Sequence, residues 1–209
     1  PIKVCAWVQQ IHTIQAHIPN LVSREEIDKS PVRCPDLEKS SKMESSILEA
    51  KENGDSLGGT IRVRISGVPA GTGEPVFRKL QAQISQYMLN LNAVKGIYFG
   101  DDNRAHERFG SENNDSWISE NGKIGTETNH SGGIVGGMAT GSDITFELYF
   151  KPTSTIKKEQ TTINHLGESV TLSGEGRHDP CVLPRDVPIV ESLSALAIMD
   201  LLLDPVSRL

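Results

Sequence analysis

The sequence lacks the marks of several large protein classes. Only three cysteines, Cys5, Cys34 and Cys181, occur in 209 residues, and no C-x-x-C spacing joins them. An odd number at wide spacings argues against a disulfide scaffold or a zinc site and favours inert thiols in a reducing compartment. There is no H-E-x-x-H, and His12, His17, His106 and His165 are scattered, so no metal is assigned. No G-x-x-x-x-G-K-S/T occurs, which excludes a P-loop. The longest apolar stretch, 193–203, is broken by Ser194 and Asp200. It falls short of the ~20 residues that cross a bilayer, so no membrane partner is expected. Basic charge is scarce too: 21 Lys and Arg stand against 27 Asp and Glu, a net charge of −6. Nucleic acid is therefore not an expected partner, and an anionic ligand needs a local cationic cluster working against the overall field.

What is present is ordinary for a folded protein: 23% charged residues and 19 glycines. A disordered chain, a collagen-like fibre and a coiled coil are excluded. At ~150 residues per domain the length allows one large domain or two small ones. The chain opens at Pro1 in what reads as a strand, with Ile2, Val4, Ala6 and Val8 alternating with Lys3, Cys5, Trp7 and Gln9. No signal peptide is read ahead of that strand, and none is expected. An opening in mid-strand reads as part of a longer polypeptide.

Further along, 23–40 reads as a loop. Met43, Ile47 and Ala50 then predict a helix stopped by Gly54. Ile61, Val63 and Ile65 alternate with Arg62 and Arg64 in a strand. Pro75 opens a predicted helix with Phe77, Leu80, Ile84, Tyr87, Met88 and Leu91 on one stripe. Residues 94–99 read as a strand, and 100–130 as a long patternless loop. Asp143 to Phe150 alternates again, and Gly167 sits between two short strands. Last comes a helix over 188–203, capped by Asp186, with Ile189, Leu193, Leu196, Ala197 and Leu203 facing the core. Strands and helices mix without β-α alternation, which makes the fold class α+β.

Three segments are candidates for chemistry. In 130–141 the glycines Gly132, Gly133, Gly136, Gly137 and Gly141 cluster. They serve either close approach to a flat ring or phosphate, or a tight loop needing positive φ. Lys151-Pro152-Thr153-Ser154-Thr155 offers one ammonium and three hydroxyls, a phosphate cradle or an ordinary polar strand end. Arg177-His178-Asp179, between Gly176 and Pro180, offers a bidentate anion grip and a proton relay, or a charged loop with a local ion pair. A fourth segment, Asn53 to Gly59, is accounted for mostly by a helix stop plus a turn, and Asn92 to Gly96 equally by a mere connection between helix and strand.

Taken together, eight segments in register resemble chorismate synthase: Ser30 to Asp36, Gly54 to Gly59, Gly73 to Phe77, Asn92 to Gly96, Gly110 to Asp115, the paired-glycine loop, Lys151 to Thr155 and Gly176 to Cys181. The resemblance implies a layer of helices between two antiparallel sheets, in one domain over 1–209 that is incomplete at its N-terminus. It implies conversion of 5-enolpyruvylshikimate 3-phosphate to chorismate and phosphate, a 1,4-elimination that requires reduced FMN, with NADP as an associated nucleotide. It also implies a homotetramer in the cytoplasm, or in a plastid for a plant or alga. By match of motif, Asn92, Ala93, Gly136, Lys151, Pro152, Thr153, Ser154, Thr155 and Arg177 contact FMN, and Asp179 is the proton-transfer partner. Family members carry G-E-S-H-G, R-P-G-H-A-D and S-A-R-E-T motifs N-terminal to these segments, and none occurs here. A non-catalytic flavin-binding or assembly fragment is thus the alternative. Asp186 also replaces the family's usual small residue.

Overall fold

A computed structural model describes residues 1–18, 22–120 and 122–203. Its centre is a five-stranded antiparallel sheet in the order β2-β1-β3-β9-β4. In chain order, β1 (Lys3–Ile11) and β2 (Ile14–Gln15) lead to α1 (Arg24–Asp28), α2 (Leu37–Glu52) and β3 (Gly59–Ser66). Next come α3 (Leu80–Leu89), β4 (Val94–Phe99) and the short α4 (Gly110–Asn113). Three small ribbon strand pairs flank the last sheet strand. These are β5 (Trp117–Glu120) with β6 (Lys123–Thr126), β7 (Ile134–Val135) with β8 (Met138–Ala139), and, beyond β9 (Ile144–Phe150), β10 (Gln160–Ile163) with β11 (Ser169–Leu172). The chain then enters α5 (Leu183–Leu203).

Period-two alternation builds the sheet. Ile61, Val63 and Ile65 of β3 and Ile144, Phe146 and Leu148 of β9 are fully buried and pack with α3 and α5. The pairing Val63↔Phe146 and Ile61↔Leu148 puts them on one face, so a register slip by one residue would turn the whole set to solvent. Arg62 and Glu147 pair across the opposite face, 3.7 Å apart. Antiparallel pairing and the α+β class therefore hold, and the described residues supply one large sheet with helices on one face.

Four sequence expectations change. The stretch 23–40 is not all loop: Ser23 caps α1 in a reciprocal box with Glu26, and α2 starts at Leu37 behind the cap Asp36. The helix placed at Pro75 begins only at Leu80, because Leu80 donates its backbone N–H to the Gly137 carbonyl (2.8 Å), and Phe77 is 89% exposed. The segment 100–130 contains α4 and the β5–β6 ribbon. Finally, α5 starts at Leu183 because the Val182 carbonyl accepts from the N–H groups of Arg185 and Asp186. Asp186 lies inside the first turn rather than at the cap, and the buried stripe is Leu183, Val187, Val190, Ser194, Ala197, Ile198 and Leu201. Of the face read from the sequence, Ala197 is buried and Leu193 partly so, while Ile189, Leu196 and Leu203 are exposed.

Candidate functional site at one end of the sheet

The run Gly54 to Gly59 does more than stop a helix. Ser56 donates its hydroxyl to the Thr153 carbonyl (2.7 Å), and Leu57 donates its N–H to the Pro180 carbonyl (2.7 Å). Thr153 donates its hydroxyl to the Asp179 carbonyl (3.2 Å). Three segments far apart in sequence are thus sewn together. Gly58 permits this closeness: a Cβ there would stand 2.4 Å from the Phe150 carbonyl oxygen and 2.9 Å from the Pro152 nitrogen. The spacing signal for this role was present in the sequence, but its long-range partners were not.

Most of the predicted residues meet at this end. Ala93, at φ 68, accepts the Lys151 N–H through its carbonyl (2.9 Å), which brings the Asn92–Ala93 turn beside Lys151. The Lys151 ammonium lies 3.5 Å from the Ser154 hydroxyl and is exposed. Thr155 and Arg177 line one recess of about 380 Å³, with Lys51, Asp55, Lys157 and His178. His178 holds a buried Nε2 that has no hydrogen-bond partner. Asp179 is ion-paired with Arg185. Beside that pair, burial, reinforced by the Asp179 charge, raises the Asp186 carboxyl to about 6 against the pull of Arg185. Cys181 is buried, which pushes its thiol up to about 11 and makes it inert at neutral pH.

Gly136 stands elsewhere. The glycine loop sits at the start of β9 and Lys151 at its end, so the strand puts them about 20 Å apart. Gly132, Gly133 and Gly137 each face backbone that a Cβ would strike at 2.5–2.7 Å, whereas a Cβ on Gly136 (φ 64) would meet nothing within 4 Å. Three of the paired glycines therefore serve packing, and Gly136 alone faces open space. The loop is anchored by Asp115, which accepts from the N–H groups of His130 (2.7 Å) and Ser131 (2.9 Å) and from the Thr128 hydroxyl (2.7 Å). Burial alone would raise this carboxyl, but these bonds outweigh it and hold it at about 2. A larger cavity of about 540 Å³ opens on the polar sheet face. On its wall Arg64 pairs with Asp143 (2.8 Å), and a His130 ring nitrogen lies 2.5 Å from the Asp101 carboxylate.

This geometry defines a class first: an α+β protein whose sheet end carries a cationic, hydroxyl-bearing recess. A family model described as chorismate synthase matches residues 1–203. The chain is 52% identical over 176 residues to the chorismate synthase of Parabacteroides distasonis, covering 84% of this chain and 49% of that protein. It is 49% identical over 202 residues to that of Porphyromonas gingivalis, covering 95% and 55%. A chorismate synthase crystal structure superposes with a TM-score of 0.76 at 26% identity, over 97% of this chain and 57% of that one. The chain belongs to the chorismate synthase family. It spans about half the length of the curated relatives it matches.

Proposed function

We infer that this chain forms the flavin-phosphate end of a chorismate synthase, folded as one domain. The reaction is the 1,4-elimination of phosphate from 5-enolpyruvylshikimate 3-phosphate, in which the C3–O bond breaks, a C6 proton leaves and no net oxidation occurs. Bound reduced FMN supplies electron density that eases phosphate loss. The observation that carries this reading is the recess where Thr155 and Arg177 meet Lys51 and Lys157, cations that make no ion pair with a described carboxylate. That donor set fits a phosphate monoester: hydroxyls donate, lysines act as point charges and arginine grips two oxygens.

In this reading Lys151 to Thr155, with Asn92 and Ala93, orient the cofactor, and Arg177 holds its anionic end. Asp179 holds or moves a proton, and Arg185 fixes that carboxylate. Gly136 lies outside this grouping in a single chain and serves only a ligand or neighbouring copy that reaches the other end of β9. The homotetramer and a cytoplasmic site belong to the same proposal.

Assay of the protein with reduced FMN and the enolpyruvyl substrate tests it. Arg177→Ala is expected to weaken FMN binding by about 2–3 kcal/mol, and Asp179→Ala to slow turnover. Unchanged turnover in both variants overturns the site. A second reading is a flavin-binding or assembly unit without turnover. FMN binding without turnover by the 209-residue chain would establish it.

A further inference from the structure

The recess carries more charge than the motif residues account for. Asp55 lines it, but the Lys158 ammonium 2.6 Å away, chiefly by hydrogen bonding, holds that carboxyl below its usual range. What remains on the wall is Lys51, Lys157 and Arg177, three positive charges with no described carboxylate paired to any of them. Such a cluster repels itself, in a protein whose net charge is −6. The helix dipole favours Lys51 in the last turn of α2, but it does nothing for the other two.

Their placement is built in. Gly54, at φ 66, donates its N–H to the Lys51 carbonyl (3.2 Å) and accepts from the N–H groups of Lys157 (2.9 Å) and Lys158 (3.2 Å). A Cβ at this position would stand 2.9 Å from the Lys157 Cβ. One glycine therefore ties both lysines to the same wall, while the next residue, Lys158, is spent on Asp55.

We propose that Lys51 and Lys157 bind, with Arg177, the dianionic phosphate of a phosphomonoester in this recess, and that Gly54 is the residue that positions them. A phosphate brings a charge of about −1.5 to −2 and three acceptor oxygens, which matches three cations and the Thr155 hydroxyl better than a carboxylate does. The inference rests on the flavin reading for the identity of the ligand, not for the anion chemistry.

The double variant Lys51→Gln/Lys157→Gln tests it by calorimetric titration of the full chain with inorganic phosphate, FMN and riboflavin at low salt. Wild type is expected to bind phosphate and FMN. The variant is expected to bind both about tenfold more weakly, with a shallower salt dependence and unchanged riboflavin affinity. Its melting temperature without ligand is expected to stay level or rise, because self-repulsion is relieved. Equal affinity in variant and wild type, an equal loss for riboflavin, or no phosphate binding by wild type overturns the proposal. Lysine-dependent phosphate binding without flavin binding leaves it standing and removes the flavin reading. FMN binding indifferent to both lysines does the reverse.

Discussion

The two ends of β9 are built on opposite principles. At the glycine-loop end the central carboxylates have protein partners: Asp115 is saturated by backbone and hydroxyl donors, and Asp101 is shared by His130 and Arg108. At the Lys151 end the backbone is tightly sewn while Lys51, Lys157, Arg177 and the Nε2 of His178 have no hydrogen-bond or ion-pair partner among the described residues. A satisfied network rigidifies, whereas an unsatisfied one over a fixed frame is how a protein reserves contacts for a ligand.

The largest effect on this contrast is expected from Gly58→Val. Its side chain would collide with the Phe150 carbonyl, so the chain is expected to lose about 3 kcal/mol or more, roughly 6–12 °C in melting temperature. Hydrogen exchange is expected to rise at Lys151 to Thr155 while the amides bonded to Asp115 stay protected. Equal loosening at both ends would break the comparison.

Asp115→Ala is expected to cost about 2 kcal/mol and to loosen only the glycine loop, leaving flavin affinity unchanged. The Asp115 carboxyl, at about 2 in the fold against an ordinary 3.8, adds stability that is complete above pH 4 and is lost as pH falls toward 2. Acid unfolding of Asp115→Asn is therefore expected to lack that component.

Asp186 works with the opposite sign. Its carboxyl rises from 3.8 to about 6 on folding, so ionising it weakens the fold as pH climbs from about 4 through 6. Asp186→Asn is expected to gain about 1 kcal/mol at pH 7 and nothing at pH 3.5, read by denaturant melts at the two pH values. The smallest effect is expected at Phe77, 89% exposed beside the glycine-loop end, where Phe77→Ser shifts stability by no more than about 0.5 kcal/mol.

How much of this was legible in the sequence depended on burial. Strands β3 and β9 bury alternate residues, so their period showed plainly. The β5–β6 ribbon was invisible because both faces meet solvent: Trp117 is 59% and Ile124 78% exposed. The cap at Ser23 did carry its signature, Glu26 three residues on, yet a helix of five residues has no stripe to support it. Helix α5 was read one turn late, since Asp186 looks like a cap when the Val182 carbonyl is out of sight. At the site the side-chain chemistry of Lys151 to Thr155 and Arg177 was readable. The clamp by Ser56 and Leu57, and the wall formed by Lys51 and Lys157, depend on contacts that no local pattern encodes.

The stitching of Ser56 to Thr153, across 97 positions, also bears on how the molecule comes together. A loop of that size closes late, after the sheet has brought its ends near one another. The pocket wall should then be among the final parts to form during refolding and the first to open on heating, and an anion that enters it would act as a latch on the finished fold.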